Sequence, residues 1–247
     1  MNEKPQHVLV TGGNVGIGRA VAERFATTGA VVHSLDLSSS EDAVLGIVPV
    51  PGDASAEEDV GRAVSLAAAS ECLDVLVCNA GIACVGGIEE IGPEQFDRVF
   101  AVNVRGPYLA VRAALPWLRK SESPVVVVVS SNAGLVGRAS DPIYSATKFA
   151  LQGLVRSLAI GLAPDRIRVN AVCPGPVDTP GMWQGGDPRP ELLPEILRNV
   201  PLGRAKNRMA TAAEIAEAIF FLSSPAAAFI TGALVPVDGG KTAGLDE

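Results

Sequence analysis

The chain has 247 residues, of which 20 are Lys or Arg, 27 are Asp or Glu and 48% are apolar, so its formal net charge is −7. Because α/β folds of about 250 residues commonly form one unit, we expect a single domain over 1–247. The acidic balance and the lack of a Lys/Arg cluster argue against a nucleic-acid partner, since binding phosphates requires concentrated positive charge.

The start of the chain and the cysteine pattern predict a cytoplasmic protein. Residues 1–7 are polar and charged, which is not typical of a signal peptide, and no segment reaches the roughly 20 apolar residues that cross a bilayer. The four cysteines lack C-x-x-C spacing and are expected to be reduced. With only His7 and His33 in the chain, we expect neither a histidine-based triad nor a metal site.

Short apolar runs that are typical of buried strands recur along the chain. They are His7–Val10, Ala30–Leu35, Val48–Pro51, Val75–Val77, Val125–Val129, Arg168–Val172 and Leu234–Val237. Runs that are rich in valine and apolar on both faces suit parallel strands that helices cover on each side.

Segments with helical spacing lie between these runs. Apolar residues repeat at i, i+3, i+4 and i+7 in Val60, Ala63, Val64 and Ala67, and again in Phe96, Val99 and Phe100 with the polar Asn103. Thr211 and Glu214 have capping-box spacing ahead of Ile215 and Ile219. The alternation predicts βαβ units and a mainly parallel sheet. A (β/α)₈ barrel fits the same length, so the first strand-to-helix turn has to decide.

The segment Pro180–Arg208 interrupts this rhythm with many prolines and glycines, and we predict a loop or lid over a site. Within it, 191–200 could form a short helix. Its apolar residues allow two interpretations, a wall of the substrate site or packing of the lid itself. These residues are Met182, Trp183, Leu192, Leu193 and Ile196.

A glycine-rich turn follows the first strand in the sequence TGGNVGIG, residues 11–18. Gly12, Gly16 and Gly18 would let the backbone turn sharply, approach a pyrophosphate and pack the next helix against the strand. The free N–H groups at the helix start favour phosphate charge. The turn lacks G-K-[ST], which disfavours a P-loop nucleotidase. We therefore predict an α/β doubly wound parallel sheet that binds a dinucleotide.

Asp36 ends the second strand, eighteen residues after Gly18, where an acidic residue would accept hydrogen bonds from the adenine ribose. Its carboxylate would repel a 2′-phosphate, and Asn14, Val15 and Leu37 supply no positive charge to bind one. NAD(H) is therefore favoured over NADP(H).

A serine, a tyrosine and a lysine supply the candidate chemistry. Ser131 follows the five-valine strand, at the end where doubly wound sheets bind ligands. Tyr144 and Lys148 are four residues apart, on one face of a predicted helix. An ordinary phenol is a poor base at neutral pH, but a nearby ammonium and an oxidised nicotinamide favour phenolate by charge. Tyr144 could then exchange a proton with an alcohol or ketone whose oxygen Ser131 holds.

Together these motifs make the chain resemble the classical short-chain dehydrogenase/reductase family over essentially its whole length. The shared motifs are residues 11–18, Cys78-Asn79-Ala80-Gly81, Asn103, Ser131, Tyr144 with Lys148, and residues 174–179 (PGPVDT). The resemblance implies that Asn103 completes the site and supports a water-linked proton path to Lys148. Cys78 stands where the family usually carries Asn.

The resemblance also implies the cofactor contacts and the assembly. Asp53 corresponds to a residue that contacts adenine, residues 79–81 lie beside the adenosine, and Asn170, Val177 and Thr179 lie near the nicotinamide. The full predicted cofactor set is Gly12, Asn14, Gly16, Ile17, Gly18, Asp36, Asp53, Ala54, Asn79, Ala80, Gly81, Tyr144, Lys148, Pro174, Gly175, Val177 and Thr179. A homotetramer joined through the two long helices and the last strand is expected.

The predicted function is NAD(H)-dependent hydride transfer between the nicotinamide and a small or medium secondary alcohol or ketone. Arg138 and Asp141, in the loop before Tyr144, could contact that substrate. Three alternatives stay open: a catalytically silent dinucleotide-binding regulator, an NADP-dependent 3-oxoacyl-type reductase, and a lyase or epimerase on the same scaffold.

Overall fold

A computed structural model describes residues 5–37, 46–69, 71–183 and 187–244 of the chain. The strands are β1 (His7–Thr11), β2 (Val31–Asp36), β3 (Ile47–Pro51), β4 (Val75–Cys78), β5 (Val125–Val129), β6 (Arg168–Pro174), β7 (Val177–Asp178), β8 (Ala210–Thr211) and β9 (Leu234–Val237). The α-helices are α1 (Gly16–Ala26), α2 (Glu57–Ala68), α3 (Pro93–Phe100), α4 (Gly106–Leu118), α5 (Pro142–Gly161), α6 (Leu193–Ile196), α7 (Pro201–Lys206) and α8 (Ala212–Ser223).

The seven predicted strands form one parallel sheet in the order β3-β2-β1-β4-β5-β6-β9. The chain runs outward from β1 to β3, then returns to β4 beside β1 and continues in the other direction. The sheet is open, with β3 and β9 at its edges, which excludes a closed barrel. The predicted doubly wound Rossmann architecture is confirmed, and its switch point lies between β1 and β4.

Helices cover both faces of the sheet, and β5 shows why its sequence is all valine. Val126 and Val128 pack into the core beneath α2, α4 and α5, whereas Val125, Val127 and Val129 pack into the core beneath α1 and α8. Successive side chains of a strand point to opposite faces, so a strand covered on both sides needs an apolar residue at every position. Each such burial contributes about 1.5–3 kcal/mol relative to exposure.

The prediction that Phe96, Val99, Phe100 and Asn103 share one helical face is partly wrong. Val99 and Asn103 are buried as expected, but Phe96 is 39% exposed and stacks on Phe100 with ring centroids 4.5 Å apart. The prediction counted one 3.6-residue period through Asn103. Between α3 and α4, however, the chain forms a π-helical turn over Ala101–Arg105, so no single period relates the residues on either side.

Two other helical predictions are confirmed. The face made of Val60, Ala63, Val64 and Ala67 is buried on α2. Helix α8 begins with the predicted capping box, in which Glu214 N donates to Thr211 Oγ1 at 3.2 Å and Thr211 N donates to Glu214 Oε2 at 2.8 Å. No helix in the described ranges has the length and apolar character needed to cross a bilayer.

The proline-rich segment 180–208 contains more regular structure than its sequence suggests, although residues 184–186 lie outside the described ranges. Of the predicted helix at 191–200, a 3₁₀ turn (Pro190–Leu192) and the short α6 are present. The parallel pair β7–β8 was not predicted, because two-residue strands show no periodicity. Trp183, Leu197, Val200 and Met209 form a small core of their own here.

One buried histidine gives the fold a pH dependence. His33 is buried on β2, and its Nδ1 has no hydrogen-bond partner in the described part of the chain. Burial lowers the pKa of His33, and nearby His7 lowers it further. Below about pH 6.5, His33 therefore binds a proton in the unfolded chain but stays neutral in the folded chain. The free energy of unfolding accordingly decreases as the pH is lowered.

We expect the free energy of unfolding to decrease between pH 7.5 and pH 5.5, above the range where the carboxyl groups titrate. The variant His33→Gln cannot take up this proton and should show a flatter profile. Urea denaturation of both proteins across this range measures the difference. Parallel profiles for parent and variant would contradict the assignment to His33.

Candidate active site

A cavity of about 690 Å³ opens along the carboxyl ends of the central strands, at the switch point between β1 and β4. Most of the residues singled out from the sequence line it. They are Gly12, Gly16, Ile17, Asp36, Asp53, Ala54, Asn79, Ala80, Gly81, Ser131, Tyr144, Lys148, Pro174, Gly175, Val177 and Thr179. The structure therefore brings both predicted groups, the glycine turn and the serine–tyrosine–lysine set, to one cavity.

The backbone of the glycine turn requires glycine at several positions. Gly12 and Gly16 adopt φ values of +66° and +54°, and a Cβ on Gly18 would lie 1.9 Å from the Gly12 carbonyl oxygen. The first N–H groups of α1 have no acceptor within the helix, and its N-cap residue, Val15, offers no side-chain cap. This helix end therefore suits a pyrophosphate.

Asn14 and Gly18, two predicted cofactor residues, do not line the cavity. Asn14 accepts a hydrogen bond from Ser34 Oγ at 2.7 Å, and its backbone N–H donates to Asp36 Oδ2 at 3.1 Å. Asn14 thus ties the glycine turn to the end of β2. Gly18 is buried and allows the close packing of α1 on the turn.

Asn79 holds the base of the cavity together. Its Nδ2 donates to the carbonyl oxygens of Thr11 and Gly12 at 3.1 and 2.8 Å. The backbone N–H groups of Asn79 and Ala80 donate to Thr11 Oγ1, both at 3.1 Å. Cys78, just before them, is buried, and burial raises the pKa of its thiol to about 12. The cysteine therefore stays a neutral core residue.

Asp53 lines the cavity and is held by several donors. Its Oδ1 accepts from Ser55 N and Ser55 Oγ at 2.8 and 2.7 Å, and its Oδ2 pairs with Arg98 at 3.2 Å. Partial burial by itself would raise the pKa of Asp53. The hydrogen bonds from Ser55 and Arg98 outweigh that effect and lower the pKa.

Helix α5 presents Tyr144 and Lys148 to the cavity, one turn apart. Lys148 is only 4% exposed, and its Nζ donates to the Val129 carbonyl oxygen at the end of β5 at 3.1 Å. The same ammonium lies 5.5 Å from the centroid of the Tyr144 ring. Ser131 Oγ accepts from Ala133 N at 3.1 Å and faces the same cavity. A phenol, an ammonium and a hydroxyl are thus grouped for proton exchange.

Asn103 lies behind the cavity wall. It is completely buried in the π-helical turn, where Oδ1 accepts from Ile82 N at 2.8 Å and Nδ2 donates to Ile82 O at 3.0 Å and Thr147 Oγ1 at 3.2 Å. A Cβ on Gly81 would lie 3.4 Å from Asn103 Oδ1 and 3.6 Å from Lys148 Nζ. Both polar groups therefore approach the same glycine.

Asn170 does not line the cavity. Its Nδ2 donates to Ile230 O at 2.8 Å and its Oδ1 accepts from Ala233 N at 3.0 Å, which braces the loop before β9. The expectation that Asn170 lies near the nicotinamide stays a prediction.

The apolar residues of segment 180–208 do not divide cleanly between the two interpretations. Met182 and Ile196 line the cavity and also pack against the small core that contains Trp183, whose Nε1 donates to Asp178 Oδ1 at 2.9 Å. The cavity also contains residues that the sequence did not point to, among them Cys84, Arg98 and Lys241. Lys241 follows β9, close to the end of the chain, and no local pattern connects it with Ser131 or Tyr144. Among the described residues, no three His, Cys, Asp or Glu side chains are grouped to hold a metal ion.

Comparisons with known proteins find matches over nearly the whole chain. A family model described as enoyl-(acyl carrier protein) reductase matches residues 12–242. An uncharacterized oxidoreductase of Thermotoga maritima is 39% identical over 98% of this chain and 100% of its own length. The 2-(S)-hydroxypropyl-CoM dehydrogenase 3 of Xanthobacter autotrophicus is 38% identical, with 97% and 98% covered.

A solved structure also matches. The 3-ketoacyl-(acyl-carrier-protein) reductase of Brucella melitensis, complexed with NADH, has a TM-score of 0.86 and is 33% identical, with 96% of this chain and 98% of that chain covered. Both the sequence matches and this structural match extend over nearly the whole chain. The chain therefore belongs to the short-chain dehydrogenase/reductase family and is an oxidoreductase.

Proposed function

We propose that this protein is an NAD(H)-dependent oxidoreductase that interconverts small or medium secondary alcohols and their ketones. The observation that carries the proposal is that the glycine turn, Asp36 and the Ser131, Tyr144 and Lys148 side chains line one cavity. The relative from Xanthobacter supports the substrate class, because a 2-hydroxypropyl group is a secondary alcohol. The NADH in the Brucella structure supports the cofactor class.

The residues present fit a dinucleotide. The N–H groups at the start of α1 would hold its pyrophosphate, Asp36 the adenine ribose and Asp53 the adenine. Two observations favour NAD(H) over NADP(H): the Asp36 carboxylate would repel a 2′-phosphate, and Arg98, a cation at this end of the cavity, is paired with Asp53. When bound, the nicotinamide would accept or supply the hydride.

The side chains of this protein would handle the proton. Ser131 Oγ would hold the substrate oxygen, and Tyr144 would exchange the proton with it. The ammonium of Lys148, which Val129 O orients, would stabilise the charge that develops on the phenol. Asn103 holds the backbone of Ile82, next to Gly81, and both Asn103 and Lys148 Nζ approach Gly81, where a water could carry the proton onward.

We also propose that residues 1–247 form one domain, with 180–208 as a lid over the substrate, and that the protein is cytoplasmic. The four free thiols suit a reducing compartment. A groove between α4 and α5, lined by Phe100, Val104, Tyr108 and Leu154, supports a tetramer built on these helices.

The variant Tyr144→Phe should lower kcat with a secondary alcohol by about 10²- to 10⁴-fold, because the proton donor and acceptor is removed. Its dissociation constant for NADH should change far less than kcat, because the ring that lines the cavity is kept. The only other tyrosine, the half-exposed Tyr108, offers a matched control in Tyr108→Phe.

NADH absorbance measures turnover, and cofactor fluorescence measures binding. Equal turnover by Tyr144→Phe would remove Tyr144 from the mechanism. NADH binding by the parent without turnover of any alcohol, ketone or 3-oxoacyl thioester would instead favour a silent regulator.

The variant Asp36→Ser should lower the preference for NAD over NADP by on the order of 100-fold, because it removes a like charge facing the 2′-phosphate. The exposed Glu122→Gln is the control for a lost carboxylate elsewhere. Steady-state kcat/KM values with both cofactors measure the ratio. A preference of the parent for NADP would overturn the role given to Asp36.

Light scattering of the purified protein should give four times the chain mass of 25.4 kDa. Gly153→Glu places a charge in the α4/α5 groove, at a position where a Cβ meets no described atom within 4 Å. This variant should have a lower mass by light scattering than the parent assembly, while its circular dichroism spectrum stays the same. A parent protein with the mass of one chain would contradict the proposed tetramer.

A further inference from the structure

Besides Lys148 and Arg98, the cavity lining contains two further cations close to one another. Arg138, in the loop before α5, and Lys241, after β9, line it together with Asp141, and the charges of Arg138 and Asp141 both act on Lys241. The apolar side chains of Cys84, Val85 and Met182 line the same cavity. Arg138 donates to Asn132, the chain neighbour of Ser131, so these residues would contact the part of the substrate that does not react.

The charge of Arg138 is already matched within the protein. Its Nη1 pairs with Asp141 Oδ2 at 3.2 Å, and its Nη2 donates to Asn132 Oδ1. Both partners are buried, which orients the guanidinium. Arg138 and Asp141 therefore form a neutral pair in the wall of the cavity.

Lys241 is in a different position. Its side chain is half-buried, yet no hydrogen bond or ion pair to its ammonium occurs within the described ranges. The nearby Asp238 is engaged elsewhere: Oδ1 accepts from Gly240 N at 3.0 Å, and Oδ2 accepts from Thr242 N at 3.0 Å and Thr242 Oγ1 at 2.6 Å. Lys241 is thus a cation in the cavity wall whose ammonium meets no acceptor among the described residues.

Holding an ammonium partly out of water without a partner is unfavourable. Burial lowers the pKa of Lys241, and Arg138 lowers it further, whereas Asp141 and Asp238 act in the opposite direction. An anion placed against Lys241 would supply the missing partner. Glu195, exposed on α6, lines the cavity from the lid side and could compete for the same cation.

We infer that the substrate carries a carboxylate or a similar anionic group, and that Lys241 is the specificity-determining residue that binds it. This inference rests on the proposed function, because it assigns a substrate class to the same site. The substrates would be hydroxy acids and oxo acids, whose reacting carbon meets Ser131 and Tyr144 and whose anionic group meets Lys241. The apolar wall would contact the hydrocarbon between the two.

The experiment compares charged and neutral versions of the same ketone. The substrates are 3-oxobutanoate, 4-oxopentanoate and 5-oxohexanoate, each with its methyl ester and each reduced with the preferred dinucleotide. At one chain length or more, kcat/KM should be about tenfold or more higher for the acid than for the ester. Lys241→Met should remove this preference by lowering kcat/KM for the acid at least tenfold, and Lys241→Arg should restore part of it.

Lys120→Met, which removes an exposed lysine at the end of α4, is the matched control and should keep the preference. The inference is overturned if acids and esters react equally at every chain length, or if the preference survives in Lys241→Met. Survival of the preference in Lys241→Met but not in Arg138→Gln would assign the anion to Arg138 and also overturn it.

Failure of the proposed function gives a different result. If neither acids nor esters are reduced, titration of 4-oxopentanoate into the protein–dinucleotide complex tests binding alone. Binding that weakens at least tenfold in Lys241→Met supports the anion site independently of turnover. Absent binding, or equal binding by parent and variant, overturns it.

Discussion

The reversal of strand order between β1 and β4 is the constraint on which the rest of this structure depends. Loops that follow two neighbouring parallel strands go to opposite faces there, which leaves a cleft at their carboxyl ends. Asn79 closes the base of this cleft, because its amide donates to the carbonyl groups of Thr11 and Gly12 across the gap. The glycine turn can therefore stay open to a phosphate while it is attached to the next strand.

The buried ammonium of Lys148 is also costly, and a backbone acceptor at the end of β5 offsets this cost. An ammonium as deeply buried as that of Lys148 would be strongly disfavoured without a hydrogen-bond partner. Val129 supplies a carbonyl oxygen for Lys148 because a strand end presents a backbone acceptor that the sheet no longer uses. The π-helical turn around Asn103 satisfies the backbone of Ile82 close by. Irregular backbone of this kind is common at functional sites.

Two groups of residues in the cavity lining differ in charge. At the ends of β2 and β3, Asp36 presents a carboxylate, and Asp53 is paired with Arg98. In the other group, Arg138 is paired with Asp141, and Lys241 is left without a partner among the described residues. Under the proposed function, the first group would recognise the cofactor and the second would select the substrate, while the hydride chemistry of the fold stays the same.

The sequence by itself determined the features that depend on neighbouring residues. Strand and helix periods located the seven sheet strands, the buried face of α2 and the cap of α8. The spacing of Tyr144 and Lys148 placed them on one face of a helix. In all these cases the physical cause, side-chain alternation or the helical turn, acts within a few residues.

Tertiary structure alone decided the contacts between distant segments. It placed Asn103 behind Gly81, turned Asn170 toward the loop before β9, left Phe96 partly exposed and brought Lys241 into the cavity wall. No local pattern encodes these positions, because each depends on how helices and loops pack against the completed sheet. The glycine turn is one continuous piece of chain, and its sequence was enough to predict it. The part of the cavity around Lys241 is assembled from segments that lie far apart in the chain, and for this physical reason the sequence did not predict it.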